Sequence, residues 1–375
     1  MGKYRINFGD LEIGPTAKKY LQRAVKRNWV SESDNVKEFE RSFAEKFGYK
    51  YAAATSSGTD ADLVACASLY DYGAKRGDEI ILPAACFVSC ANTILAAGFQ
   101  PVFVDCDIKT LNIDPDKIEA AVTKKTRAIM VVHTMGKPCE MDTIMKIAKA
   151  HKLKVIEDSC EAHGARYKGK VIGSMGDMGT FSFYAAHVIV AGEGGMVVSK
   201  DETLDKVIRS VRSHGRPFGS IYFDFERIGF NSRMNELTAA VGIEGVEKFD
   251  HTFNTRKDNY YKLIKLLKPL NEYCYFLKEE KHEVLSPHAF SLVLKDKKYN
   301  GPKMYKYLES KGIQCKTLFG SLPTQHKAFK FLGHKLGEFP AAEYMGVHGL
   351  HFGMHQYLTD DDLVFISDTL KGYFK

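Results

Sequence analysis

Between residues 51 and 199, short apolar runs alternate with stretches whose apolar positions recur every three or four residues. "YAAATSS" (51–57) leads into a helical pattern over about 59–72. "DEIILPAA" (78–85), "QPVFVD" (100–105), "RAIMVVHT" (127–134) and "KLKVIEDS" (152–159) read as strands, separated by helical stretches near 88–98, 115–123 and 141–151. "GTFSFY" (179–184) and "GGMVVS" (194–199) complete seven such runs. Upstream, Pro15 opens a helix at a position where its missing N–H costs nothing. Runs that are apolar throughout are buried on both faces, so the series predicts a mostly parallel sheet of seven strands covered by helices.

Past residue 250 the pattern changes. "HTFNTRKDNYYKLIKLLKPL" (251–270) reads as a basic, aromatic-containing helix, "HAFSLVLK" (288–295) as a strand, and 302–312 and 359–372 as helices. The expected layout is a large α/β domain over 1–250 and a smaller α+β domain over 251–375. No Gly/Ser or Pro-rich linker separates them, so close packing is expected.

Composition narrows the function. The formal charge of +7 is spread along the chain with no dense basic block, which favours a small anionic ligand over nucleic acid. The eight cysteines include no C-x-x-C pair, so no metal site is expected and a reducing cytoplasm is the simplest setting. "MGKYRINFGD" has no apolar signal core, and no window approaches the ~18 apolar residues of a membrane span.

In open parallel sheets, ligands gather at the carboxyl ends of strands, and there this chain concentrates its unusual polar residues. "TSSGTDADL" (55–63) ends a strand with Ser57, Gly58 and Thr59 and starts a helix, a phosphate cradle built from backbone amides, though the same turn serves elsewhere as a plain cap. "VIEDSCEAHGA" (155–165) delivers Glu157 and Asp158 at a strand end, with Glu161 and His163 following. A buried carboxylate needs a cation or donors, such as a protonated ring nitrogen; Asp158 could alternatively cap the next helix. "FSFYAAHVIVAGEGG" (181–195) places Ser182 and His187 beside the same edge. A lone histidine is more often structural than catalytic.

Together, these pieces resemble the DegT/DnrJ/EryC1/StrS sugar aminotransferase family of fold-type I pyridoxal-phosphate enzymes. The resemblance runs from "FERSFAEKFGYKYAAATSSGTDAD" through "GDEIILPAACFVSCANTILAAGFQPVFVDCD", "VVHTMGKPCEMDTI" and "VIEDSCEAHGARYKGKVIGSMGDMGTFSFY" to "GFNSRMNELTAAVGIEGVEKF". It implies a homodimer with active sites at the subunit boundary. Gly58 and Thr59 would bind the cofactor phosphate with Ser57 at the same turn, Ser182 would add a donor, and the partner subunit's Asn231 would reach that phosphate. Phe87 would stack on the pyridine ring, Asp158 would pair with its nitrogen, and Glu161 would lie near its hydroxyl.

The departure is at 187. Family aminotransferases carry there a lysine that bonds covalently to the coenzyme, whereas this chain has His187. Lys168 and Lys170 precede the strand in a segment the aminotransferases share, and are not expected to substitute. Histidine at this place resembles the 4-keto-6-deoxy-sugar 3-dehydratase branch, as do "GMHQ" (353–356, with His355) and "RSHG" (212–215, with His214). Val188 differs from that branch, whose members often have a second histidine.

The resemblance implies that pyridoxamine phosphate, held without a covalent tether, joins the carbon-4 ketone of a nucleotide-linked 4-keto-6-deoxy sugar. His187 would move protons while the carbon-3 hydroxyl leaves as water, in deoxysugar and O-antigen (lipopolysaccharide) biosynthesis. L-glutamate regenerates the amine in the GDP-sugar members. CDP-sugar members instead use an iron–sulfur cluster held by cysteines after the glycine-rich strand. Residues 161–273 contain no cysteine, so the glutamate route is expected. Arg216, in "RSHGRPFGSIYFDFERIG" (212–229), is a candidate diphosphate contact. Two alternatives stay open: an aminotransferase whose lysine has been replaced, and a non-catalytic descendant of the fold.

Overall fold

The computed structural model describes residues 4–9 and 11–375. Its central sheet has seven strands in the order Tyr51–Thr55, Gly195–Ser199, Met178–Ser182, Lys154–Asp158, Thr126–Val132, Glu79–Pro83 and Gln100–Val104. Gly195–Ser199 pairs antiparallel with both neighbours, and the strands from Met178–Ser182 to Gln100–Val104 are all parallel. Alternate residues face opposite sides. Ile80, Leu82, Met130 and Ile156 join one core with Val64, Ile94 and Ile208. Ile81, Ile129, Val131 and Val155 join another with Ile144 and Ile147. Two buried faces explain why these strands read as continuous apolar runs.

The same alternation separates the two acidic residues at the end of Lys154–Asp158. Glu157 points into the protein, where its carboxylate accepts from the amides of Gly173 (2.8 Å), Met175 (2.7 Å) and Gly176 (2.6 Å). His133 Nε2 lies 3.2 Å from the same carboxylate, while its Nδ1 accepts from the Cys139 amide at 3.0 Å, so the ring proton is on Nε2. Glu157 therefore organises a turn and does not face a ligand. Glu157→Gln, whose amide turns donors toward donors, is expected to cost about 1–3 kcal/mol per amide left unpaired. Equilibrium denaturation checks this, and a loss below about 0.5 kcal/mol, the range of an ordinary surface change, contradicts it.

Two expectations need adjustment. The helix expected over 115–123 is a single turn, Pro115–Ile118, continued as a tighter 3₁₀ turn over Glu119–Ala121. The strand expected from 152 begins at Lys154, because Lys152 closes the preceding helix in the left-handed conformation (φ 57°).

A second sheet is antiparallel, in the order Cys274–Phe276, Ala289–Leu294, Gly349–Gly353 and Cys315–Thr317. Tyr260 and Leu263 of the helix Phe249–Leu266 pack in its core with Ile366 and Leu370 of the helix Asp360–Tyr373. Ile6 also enters this core, and its backbone bonds Gly312 and Gln314. Arg256, fully buried on Phe249–Leu266, ties the two sheets together. Its guanidinium donates to the carbonyls of His187 (2.9 Å), Ala186 (3.2 Å) and His288 (3.5 Å), and to the Gln356 side chain (3.1 Å).

Candidate active site

Strand register brings the expected site residues to one edge. Gly195 lies opposite both Thr55 and Ser182, and Thr180 opposite Asp158, so three strand ends meet. A cavity of about 520 Å³ opens there. Ser57, Gly58, Thr59 and Ser182 line one end, and Phe87, Asp158, Glu161 and His187 line the rest. The second sheet contributes Lys316, Thr317 and His351, which the sequence reading did not single out.

The cradle follows from its local sequence. Ser57 is extended (φ −161°) and caps the helix Gly58–Ser68 by accepting the Asp60 amide at 3.0 Å, which leaves its O–H free to donate. The first amides of that helix are aligned for an anion. Gly58 is required by space: a Cβ there would meet the Ser182 Cβ at 2.5 Å. Serine hydroxyls and helix amides thus converge at one end of the cavity, a donor set suited to a phosphate.

Asp158 sits deeper, 5% exposed. Its Oδ1 accepts from the Cys160 amide at 3.1 Å and its Oδ2 from the Cys90 thiol at 3.2 Å. The hydrogen bond to Cys86, together with burial, pushes the Cys90 thiol well above its ordinary pKa and keeps it a donor. Behind them, Asp62 accepts from the Thr180 hydroxyl at 2.6 Å. Burial, and then the neighbouring Asp158, push the Asp62 carboxyl well above its ordinary value. A carboxylate braced from behind and facing a cavity suits a protonated ring nitrogen. Cys90 and Asp62 escaped the sequence reading, because a cysteine and an aspartate on separate helices carry no shared pattern.

His187 is buried against the cavity wall. Its Nδ1 lies 3.2 Å from Nδ1 of His288, with the rings tilted by 40°. Burial first, and then the Arg256 charge, lower the His187 imidazole to about 3. Glu161 accepts from the Met135 amide at 2.6 Å and is raised by burial to about 8. A carboxyl raised this way stabilises the fold fully below its unfolded value of 4.5 and loses that contribution as pH climbs toward 8. Glu161→Gln should therefore gain stability relative to the parent between those values and level off above. Denaturation midpoints of both ligand-free proteins across that range test it, and a constant gap contradicts the assignment. His163, by contrast, is structural: it accepts from the Ile189 amide at 3.2 Å and stacks on Phe181 and Phe183, each at 5.6 Å.

Other expected contacts lie outside the cavity wall. His214 is exposed with φ 65°, and Arg216 stacks on Phe223 at 4.6 Å. His355 is buried beside Tyr357, with ring centroids 6.0 Å apart. Asn231 is exposed, and the adjoining segment presents Ile221, Tyr222, Phe223 and Ile228 to solvent. Lys168 pairs with Asp142, away from the site, and Lys170 is exposed. No described helix is long and apolar enough to cross a membrane.

A mostly parallel sheet with a phosphate cradle and a buried carboxylate at its carboxyl edge defines a fold-type I coenzyme enzyme. Residues 12–371 match the model of the DegT/DnrJ/EryC1/StrS aminotransferase family, and the chain belongs to that family. It is 34% identical to the GDP-4-keto-6-deoxy-D-mannose 3-dehydratase of Yersinia pseudotuberculosis, over 94% of this chain and 93% of the relative. It is 32% identical to the GDP-perosamine synthase of Escherichia coli O157:H7, over 95% of each. A solved GDP-4-keto-6-deoxymannose-3-dehydratase with a trapped PLP-glutamate geminal diamine superposes with a TM-score of 0.89 at 29% identity, covering 98% of this chain and 100% of that one. The chain is thus a pyridoxal-phosphate-dependent, sugar-modifying enzyme. The close approach at Gly58, the free hydroxyl of Ser57 and the braced Asp158 fit that cofactor.

Proposed function

We propose that this enzyme removes the carbon-3 hydroxyl of a GDP-linked 4-keto-6-deoxyhexose, using pyridoxamine phosphate that glutamate regenerates. One observation carries the reading: His187 lines the cavity, at the place where the sequence resemblance puts the aminotransferase lysine, and among the described residues the lysine lining that cavity is Lys316, whose ammonium lies 4.3 Å over the Phe8 ring. Pyridoxamine phosphate, when bound, supplies an amine that condenses with the sugar ketone and a ring that accepts electrons. The chain's residues do the rest. Amides at Gly58 and Thr59 with the Ser57 and Ser182 hydroxyls would hold the phosphate, Phe87 would pack on the ring, and Asp158 would keep the ring nitrogen protonated. Glu161 would lie by the ring hydroxyl. His187 accepts a proton at the cavity and returns one to the departing hydroxyl. An imidazole has no amine with which to tether the coenzyme or to compete for the sugar carbonyl, and this favours loss of water over nitrogen transfer.

The named dehydratase relative supports the GDP sugar, and the glutamate adduct in the solved neighbour supports the co-substrate. The exposed apolar segment around 221–228 supports a homodimer, since patches of this kind cover interfaces. It lies next to Asn231, in keeping with a phosphate contact from the partner subunit's Asn231. His214, Arg216 and His355 stand as candidate substrate contacts.

The test incubates purified protein with pyridoxal phosphate, glutamate and a panel of 4-keto-6-deoxy nucleotide sugars, with products weighed by mass spectrometry. A 3-deoxy ketose is expected. An amino sugar in its place overturns the proposal in favour of the aminotransferase reading that the perosamine synthase relative represents. In parallel, borohydride reduction of the pyridoxal-phosphate form should leave every lysine unmodified, and an adduct at Lys316 contradicts a tether-free coenzyme.

A further inference from the structure

His187 is a poor proton acceptor on its own. It is buried 2.9 Å from a guanidinium nitrogen at its carbonyl, and the Arg256 charge opposes an imidazolium there. His288 is in the same position, buried with its imidazole held well below the ordinary histidine range. Yet the two rings meet Nδ1 to Nδ1 at 3.2 Å, and Nε2 of His288 points toward Oε1 of Glu161 at 3.7 Å. A small side-chain adjustment closes that second gap.

We infer that the base of this site is a chain of three residues, in which His187 and His288 pass a proton along their rings to Glu161. This rests on the proposed role of His187. The tautomers follow from hydrogen-bond bookkeeping, since a neutral imidazole donates from one nitrogen and accepts at the other. With Glu161 ionised, His288 donates from Nε2 to the carboxylate and accepts at Nδ1. His187 then donates from Nδ1 and keeps a lone pair on Nε2, the nitrogen left for the cavity. When Nε2 takes a proton, the Nδ1 proton of His187 moves to His288 Nδ1, and the Nε2 proton of His288 moves to Glu161. One proton enters and one carboxylate is neutralised, while both rings finish neutral. The return step reverses each transfer and delivers the proton to the departing hydroxyl.

The surroundings favour this route. His187 and His288 face each other, Arg256, His163 and, on the His288 side, His351. All of these disfavour positive charge on the rings. Glu161 faces Asp158, His288 and the Met135 amide. Burial and Asp158 raise its proton affinity, which makes it the strongest proton acceptor of the three. His288 is therefore a positioning and relay residue, and Glu161 sets which nitrogen of His187 is bare.

The test is ¹⁵N NMR of histidine-labelled, ligand-free protein across pH, with resonances assigned by substitution. His187 should carry its proton on Nε2 when Glu161 is protonated and on Nδ1 when it is ionised, switching near pH 8. In Glu161→Gln the tautomer should not respond to pH, and in His288→Phe it should not follow Glu161. In turnover, His288→Phe should lower kcat on the order of 10²-fold with little change in KM, and the pH dependence should disappear. A single His187 tautomer at every pH in the parent protein, or an unchanged pH response in Glu161→Gln, overturns the relay. If His288→Phe does not fold, the Glu161→Gln spectra decide alone. Because the tautomers are read without substrate, they stand or fall independently of whether the product is a deoxy ketose or an amino sugar.

Discussion

His187→Asn is expected to lower turnover on the order of 10²–10⁴-fold, the range that a positioned acid–base group contributes. Cofactor affinity should change by no more than a few fold, since the phosphate cradle and Asp158 are untouched. Asparagine has nearly the reach of the imidazole and retains a group that can meet His288, so the loss isolates proton transfer from packing. Single-turnover rates and a cofactor titration by absorbance separate the two effects, and a loss below tenfold removes His187 from the chemistry. His187→Lys should behave differently. It restores an amine at the cavity wall, and an amino sugar should then appear among the products, detectable by mass.

Asp158→Asn should weaken cofactor binding more than any other substitution of similar size. The parent carboxylate, braced by the Cys90 thiol and the Cys160 amide, is placed to meet a ring cation in a site 5% exposed. An amide carries no charge and turns two hydrogens toward groups that already donate. Breaking a buried pair of this kind costs about 3–5 kcal/mol, or on the order of 10²–10⁴ in Kd. Equilibrium dialysis against pyridoxamine phosphate measures it. A Kd within threefold of the parent contradicts a role for Asp158 at the ring nitrogen.

The central sheet was legible because burial on both faces makes each strand a continuous apolar run bounded by helices. The cradle was legible because Ser57, Gly58 and Thr59 sit at a single strand-to-helix turn. The second sheet was harder to read. Cys274–Phe276 and Cys315–Thr317 are each three residues long, too short for a period of two to register. The same limit hid the histidines that the second sheet brings to the cavity. His288 and His351 lie 101 and 164 positions further along the chain, and only the antiparallel pairing of Ala289–Leu294 with Gly349–Gly353 carries them to the cavity. The local pattern alone does not separate Glu157 from Asp158; the resemblance singles out Asp158, and pleating gives Glu157 to a turn and Asp158 to the cavity.

Arg256 has a mechanical consequence. Its guanidinium bolts the carbonyls of Ala186, His187 and His288 to one another from beneath, so the segments on either side of the cavity share a single anchor. A clamshell motion that parted the two sheets would have to strip a desolvated cation of its acceptors. Parting the two sheets along that seam is therefore opposed by the buried guanidinium.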